Sequence, residues 1–85
     1  MTFEGAVRKA VDVRDQWTLP IDIELVDGEF EVTADGGYIH DSVFLQLDSN
    51  DLQTISEMID VGQFSEWCQE TLHWAVIEKG YNGRL

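Results

Sequence analysis

Residues 21–34 restrict the fold more than any other part of this chain. Ile21, Ile23 and Leu25 alternate with Asp22 and Glu24; Asp27-Gly28 follows; Phe30, Val32 and Ala34 then alternate with Glu29, Glu31 and Thr33. Alternation of period two belongs to a strand with one buried face. Asp-Gly between two such runs is a strong hairpin signal, because both central positions of a type I′ turn need positive φ. A two-residue loop there sets Val26 opposite Glu29, Leu25 opposite Phe30, Glu24 opposite Glu31, Ile23 opposite Val32, Asp22 opposite Thr33 and Ile21 opposite Ala34. Every apolar residue then meets an apolar partner on one face, which a slip of one residue would destroy. The other face gathers Asp22, Glu24, Glu29 and Glu31, diluted only by Val26 and Thr33, and is expected to form a surface. Glu24 opposite Glu31 sets like charges across a strand pair, a loss on the order of some tenths of a kcal/mol. A surface chosen for stability alone would carry threonine or lysine there.

The flanking patterns are helical. Thr2 can cap a first helix in which Phe3, Ala6, Val7, Ala10, Val13 and Trp17 recur at helical spacing through Asp12 to Gln16. Leu19-Pro20 ends it, since the residue before proline is pushed out of the helical region. After the hairpin, Asp35-Gly36-Gly37 reads as a second turn. Tyr38-Ile39-His40 then leads into Val43-Phe44-Leu45-Gln46-Leu47, a third antiparallel strand with a bulge or bend near Asp41. Asp48 or Ser49 caps a helix with Leu52, Ile55, Met58 and Ile59 inward, ending near Val61-Gly62. A last helix from near Gln63 sets Phe64, Trp67, Cys68, Leu72, Ala75 and Val76 on a broad apolar stripe and stops near Gly80. The expected fold is α+β: one domain over residues 1–85, order α-β-β-β-α-α, with a three-stranded antiparallel sheet packed against helices in two layers. A chain of this length builds a thin core.

Charge then narrows the function. Asp and Glu number 17 against 5 Lys and Arg, a net charge of −12. Such a chain repels phosphates, which argues against direct nucleic-acid binding and against an anionic membrane surface. Yet 44% of its residues are hydrophobic, too many for a solvated acidic tail. The bases sit at the ends: Arg8, Lys9 and Arg14 near the start, Lys79 and Arg84 near the finish. From Asp15 to Glu78 there is none, while fifteen acids fall in that span. Ordinary soluble surfaces intersperse both signs and rarely need a net charge beyond about 8. The excess costs stability through self-repulsion, and it suits a basic partner whose groove accepts phosphates. B-DNA carries a charge about every 1.7 Å of axis, and alternate strand positions roughly 6 to 7 Å apart offer a comparable carboxylate row.

In size and charge the chain resembles the small acidic inhibitors of phages and mobile elements, anti-CRISPR and anti-restriction proteins among them. The resemblance is one of class, carried by the base-free acidic span. The expected function is therefore a non-enzymatic inhibitor that occupies the cationic surface of a nucleic-acid-binding protein or complex. Its leading contact residues would be Asp22, Glu24, Glu29 and Glu31, extended by Asp27 at the hairpin tip and Asp35 in the second turn. Two alternatives stay open: an immunity protein for a basic nuclease toxin, and an acidic soluble domain, as in halophiles, whose charge serves solubility. The expected compartment is the cytoplasm, that of the host if the chain is phage-encoded. One cysteine allows no internal disulfide, no stretch approaches a membrane span, and Met1 to Ala6 lacks the apolar segment of a signal peptide.

The signals for chemistry are thin. Cys68 and His73 lie five residues apart on one helix and point away from each other, so His40 would have to serve as base. Cys68 reads instead as a small core residue. His40-Asp41 lacks further ligands at metal-binding spacing. Asp48-Ser49-Asn50-Asp51 resembles the start of a calcium loop, then offers Leu52 where a ligand belongs. No catalytic residue, metal or cofactor is expected. Trp67 and Trp74 share one helical face, where they pack in the core or else anchor an interface or a homodimer contact.

Overall fold

The computed structural model describes the backbone of residues 1–34, 43–78 and 83–84 and the side chains of residues 1–34 and 45–73. The turn at Asp35-Gly36-Gly37, the stretch 38–42 with its expected bend, His40, and the side chains of Trp74, Ala75 and Val76 lie outside the described residues. The elements are α1 (Phe3–Val13), β1 (Ile21–Val26), β2 (Glu29–Thr33), β3 (Val43–Leu47), α2 (Ser49–Asp60), α3 (Phe64–Glu78) and a two-residue β4 (Gly83–Arg84). The fold is α+β with the expected order, to which β4 adds a short strand parallel to β3.

Local chemistry sets the element ends. Thr2 caps α1, its hydroxyl accepting from the Gly5 N–H at 3.1 Å. The helix stops at Val13, a turn earlier than its apolar spacing suggests. Asp15 and Gln16 are exposed, so no packing holds that turn in regular helix. The Val13 carbonyl still accepts from the Gln16 and Trp17 N–H groups at 2.9 and 3.0 Å, and the turn delivers Trp17 to the core edge. Asp48 caps α2 through a capping box: its carboxylate accepts from the Asp51 N–H at 2.9 Å, and Asp51 accepts from the Asp48 N–H at 3.1 Å. At the other end Gly62 takes φ 77°, with Gly62 N–H bonded to the Ile59 carbonyl and Gln63 N–H to that of Met58, a Schellman stop.

The hairpin forms in the register read from its turn, with Asp27 at φ 51° and Gly28 at φ 81°. Asp22 pairs with Thr33, Ile23 with Val32, Glu24 with Glu31, Leu25 with Phe30 and Val26 with Glu29. β3 pairs antiparallel with β1, and the sheet order is β2-β1-β3-β4. Ile23 pairs with Leu45 but Glu24 with Val43, a bulge that leaves Phe44 as the extra residue. β1 is thus an inner strand and β2 an edge. One core joins Phe3, Ala6, Val7 and Ala10 of α1, Ile21 and Ile23 of β1, Val32, Leu45 and Leu47, Leu52 and Ile55 of α2, and Phe64 and Cys68 of α3. α1 is its hub, packing on β1, β2, α2 and α3.

Candidate partner-binding surface

The inner position of β1 divides the six candidate contact residues. Asp22 is fully buried and Glu24 only 8% exposed. The expectation that both face solvent is overturned: Asp22 lies between Thr33 of β2 and Gln46 of β3, and Glu24 between Glu31 and Val43, so neither belongs to an open carboxylate row. Asp27, Glu29 and Glu31 are exposed and remain together on the hairpin tip and the β2 edge. Asp35 lies outside the described residues.

Further exposed acids stand on the helices. Glu57 and Asp60 of α2 and Glu66 and Glu70 of α3 are all exposed. Glu66 and Glu70 stand one turn apart, a like-charged pair on one helix face. Their signal in the sequence is the helical period, since these positions fall opposite the apolar stripes. Neither α2 nor α3 carries a base in its last turn.

The described Lys and Arg side chains are all on or just past α1; Arg8 and Lys9 are exposed, Arg14 is half-buried, and each makes a contact within the fold. Arg8 lies 3.9 Å from Glu4 and 4.9 Å above the Phe64 ring. Lys9 sits 5.7 Å over the Trp17 ring. Arg14 donates to the Leu52 carbonyl at 3.4 Å. These contacts tie α1 to its neighbours, and on the hairpin the Met1 amino group lies 4.0 Å from the Glu29 carboxylate.

Cys68 is 2% exposed within the core, and burial pushes its thiol up to about 12, aided by the Glu4 charge and opposed by Arg8. It is a protonated packing group at neutral pH. His73 is exposed on the same helix, away from it. Trp67 is half-buried and stacks on Phe64 at 6.3 Å between ring centres. Among the described residues no three metal-ligating side chains converge. Nor is any described helix long and apolar enough to cross a membrane. Among the described residues, open depressions of about 360 Å³ and about 220 Å³ lie at Gln16, Trp17, Thr18, Thr33 and Ala34 and at Arg14, Asp15, Leu19, Ser49, Leu52 and Gln53. Compared with protein-family models, curated proteins and solved structures, the chain matches none of them.

Proposed function

We propose that this chain is a non-enzymatic binding protein whose acidic surface occupies a basic protein surface, that of a nucleic-acid-binding protein or complex, and so inhibits it. One observation supports the reading: Asp27, Glu29, Glu31, Glu57, Asp60, Glu66 and Glu70 stand exposed on the hairpin, α2 and α3, while the described Lys and Arg side chains are confined to α1 and the turn after it. The leading contacts are now Asp27, Glu29 and Glu31, because burial removes Asp22 and Glu24 from the surface. Clustered exposed carboxylates make the local potential more negative, steer a cationic partner and discriminate against acidic ones.

The test is capture of partners from a cell extract at about 50 mM and then about 500 mM salt, where screening shortens the range of surface charges. The partner should be retained at low salt and released at high salt, and the triple variant Asp27→Lys, Glu29→Lys, Glu31→Lys should fail to retain it. Retention that is indifferent to both salt and the triple variant would sink the proposal.

A further inference from the structure

The backbone of β2 shows how a partner could be held as well as attracted. β2 is an outer strand of the sheet. On its open side, Phe30 exchanges two main-chain hydrogen bonds with Met1: the Phe30 N–H donates to the Met1 carbonyl at 3.0 Å, and the Met1 amino group donates to the Phe30 carbonyl at 3.3 Å. Exchange of both bonds is the signature of an antiparallel pair. Outward-facing residues alternate along a strand, so Val32, two residues on, directs its own N–H and C=O to the same side. Among the described residues nothing accepts or donates there.

Sheet edges in soluble proteins are commonly blunted by lysine, proline or a bulge. β2, with the sequence Glu-Phe-Glu-Val-Thr, has none of these, and its pairing with β1 runs without interruption. It carries instead two exposed carboxylates, Glu29 and Glu31. A strand added beside it would bring side chains to within about 5 Å of theirs. A second copy of β2 laid there would bring its own acids close to these. Met1 holds the edge at Phe30, with its amino group 4.0 Å from Glu29, so a lysine or arginine of a segment laid beside Val32 would meet opposite charge at Glu31.

We infer that the β2 edge at Val32, with Glu31 beside it and Met1 holding the edge at Phe30, takes a short extended basic segment of the partner as an additional strand. The inference rests on the proposed binding of a basic surface and names its mode: carboxylates choose the partner's charge, and main-chain groups demand an extended backbone. Charge alone would accept a basic helix or loop equally well.

The experiment uses the full chain without an N-terminal tag and a short blocked peptide alternating Lys and Val. Two analogues carry N-methyl groups on alternate amides, one in each phase. The parent peptide should bind, slow hydrogen exchange at the Val32 amide, and lose affinity for the Glu31→Lys variant. Loss of its main-chain bonds should weaken one N-methylated phase by about tenfold or more, while the phase whose methyl groups point away binds like the parent. If both phases bind as tightly as the parent, the surface attracts by charge alone: the strand addition is overturned and the acidic-surface reading stands. If no peptide binds, the strand addition is likewise overturned, and the extract capture decides the surface reading by itself.

Discussion

Glu24 and Glu31 face each other across the hairpin, yet the two are not equivalent. Glu31 is exposed at the edge; Glu24 is enclosed at 8% exposure on the inner strand. Converting Glu31 to lysine replaces a like-charged cross-strand pair with an opposite one in an accessible position and should stabilise the fold by about 0.2–1 kcal/mol. Converting Glu24 to lysine forces a longer cationic side chain into an enclosed site and should destabilise by about 1–3 kcal/mol. Urea unfolding of the two single variants checks the asymmetry, and equal effects would mean that Glu24 is as open as Glu31. The pairing of these residues is legible in the sequence, because a two-residue turn dictates register locally. The burial of one of them is not, because it depends on β3, which arrives on the far side of β1 from a position seventeen or more residues along the chain.

At the scale of elements, the helices announce themselves through caps and the strands through alternation; the caps at Thr2 and Asp48 and the register of the hairpin are as read. Asp48 illustrates the leverage of one cap: it satisfies an amide at the start of α2 and is itself positioned by Asp51. Asp48→Ala should therefore cost about 1 kcal/mol, and Asp48→Ser should recover most of it, since a hydroxyl can accept the same N–H. A lower urea midpoint for the alanine variant with an unchanged slope is the expected signature; an unchanged midpoint would show that α2 is held by Leu52 and Ile55 alone. What local pattern misses is strand order. Alternation says that Ile21, Ile23 and Leu25 share a face, but it reads alike for an edge strand and for an inner strand whose polar side is also covered. Asp22, at the middle of the row from Thr33 to Gln46, is the residue this ambiguity misplaces. The early end of α1 is a smaller case: the apolar period continues to Trp17, while the packing that would sustain a regular helix ends at Val13.

For the whole molecule, the net charge of −12 sits on a body whose radius of gyration is 11.8 Å. Screening reaches across about 10 Å at 0.1 M salt and about 3 Å at 1 M, so carboxylates on neighbouring elements repel one another through low-salt solution and cease to do so in concentrated salt. Several such pairs at a few tenths each sum to a stabilisation on the order of 1 kcal/mol as salt is raised. For a domain of this size that corresponds to a rise in Tm of about 4–8 °C. Chloride salts of sodium and potassium should act alike, whereas sulfate would add its own strengthening of apolar burial and is the wrong probe. Partner binding through the same carboxylates must move in the opposite direction, weakening over the range in which the fold gains. Opposed trends in one salt series separate a surface kept acidic for recognition from one kept acidic for solubility, because the second gains stability with salt and has no cationic partner to lose. A Tm that stays flat from low to molar chloride would mean that the exposed acids do not strain the fold, and the self-repulsion argument would fail.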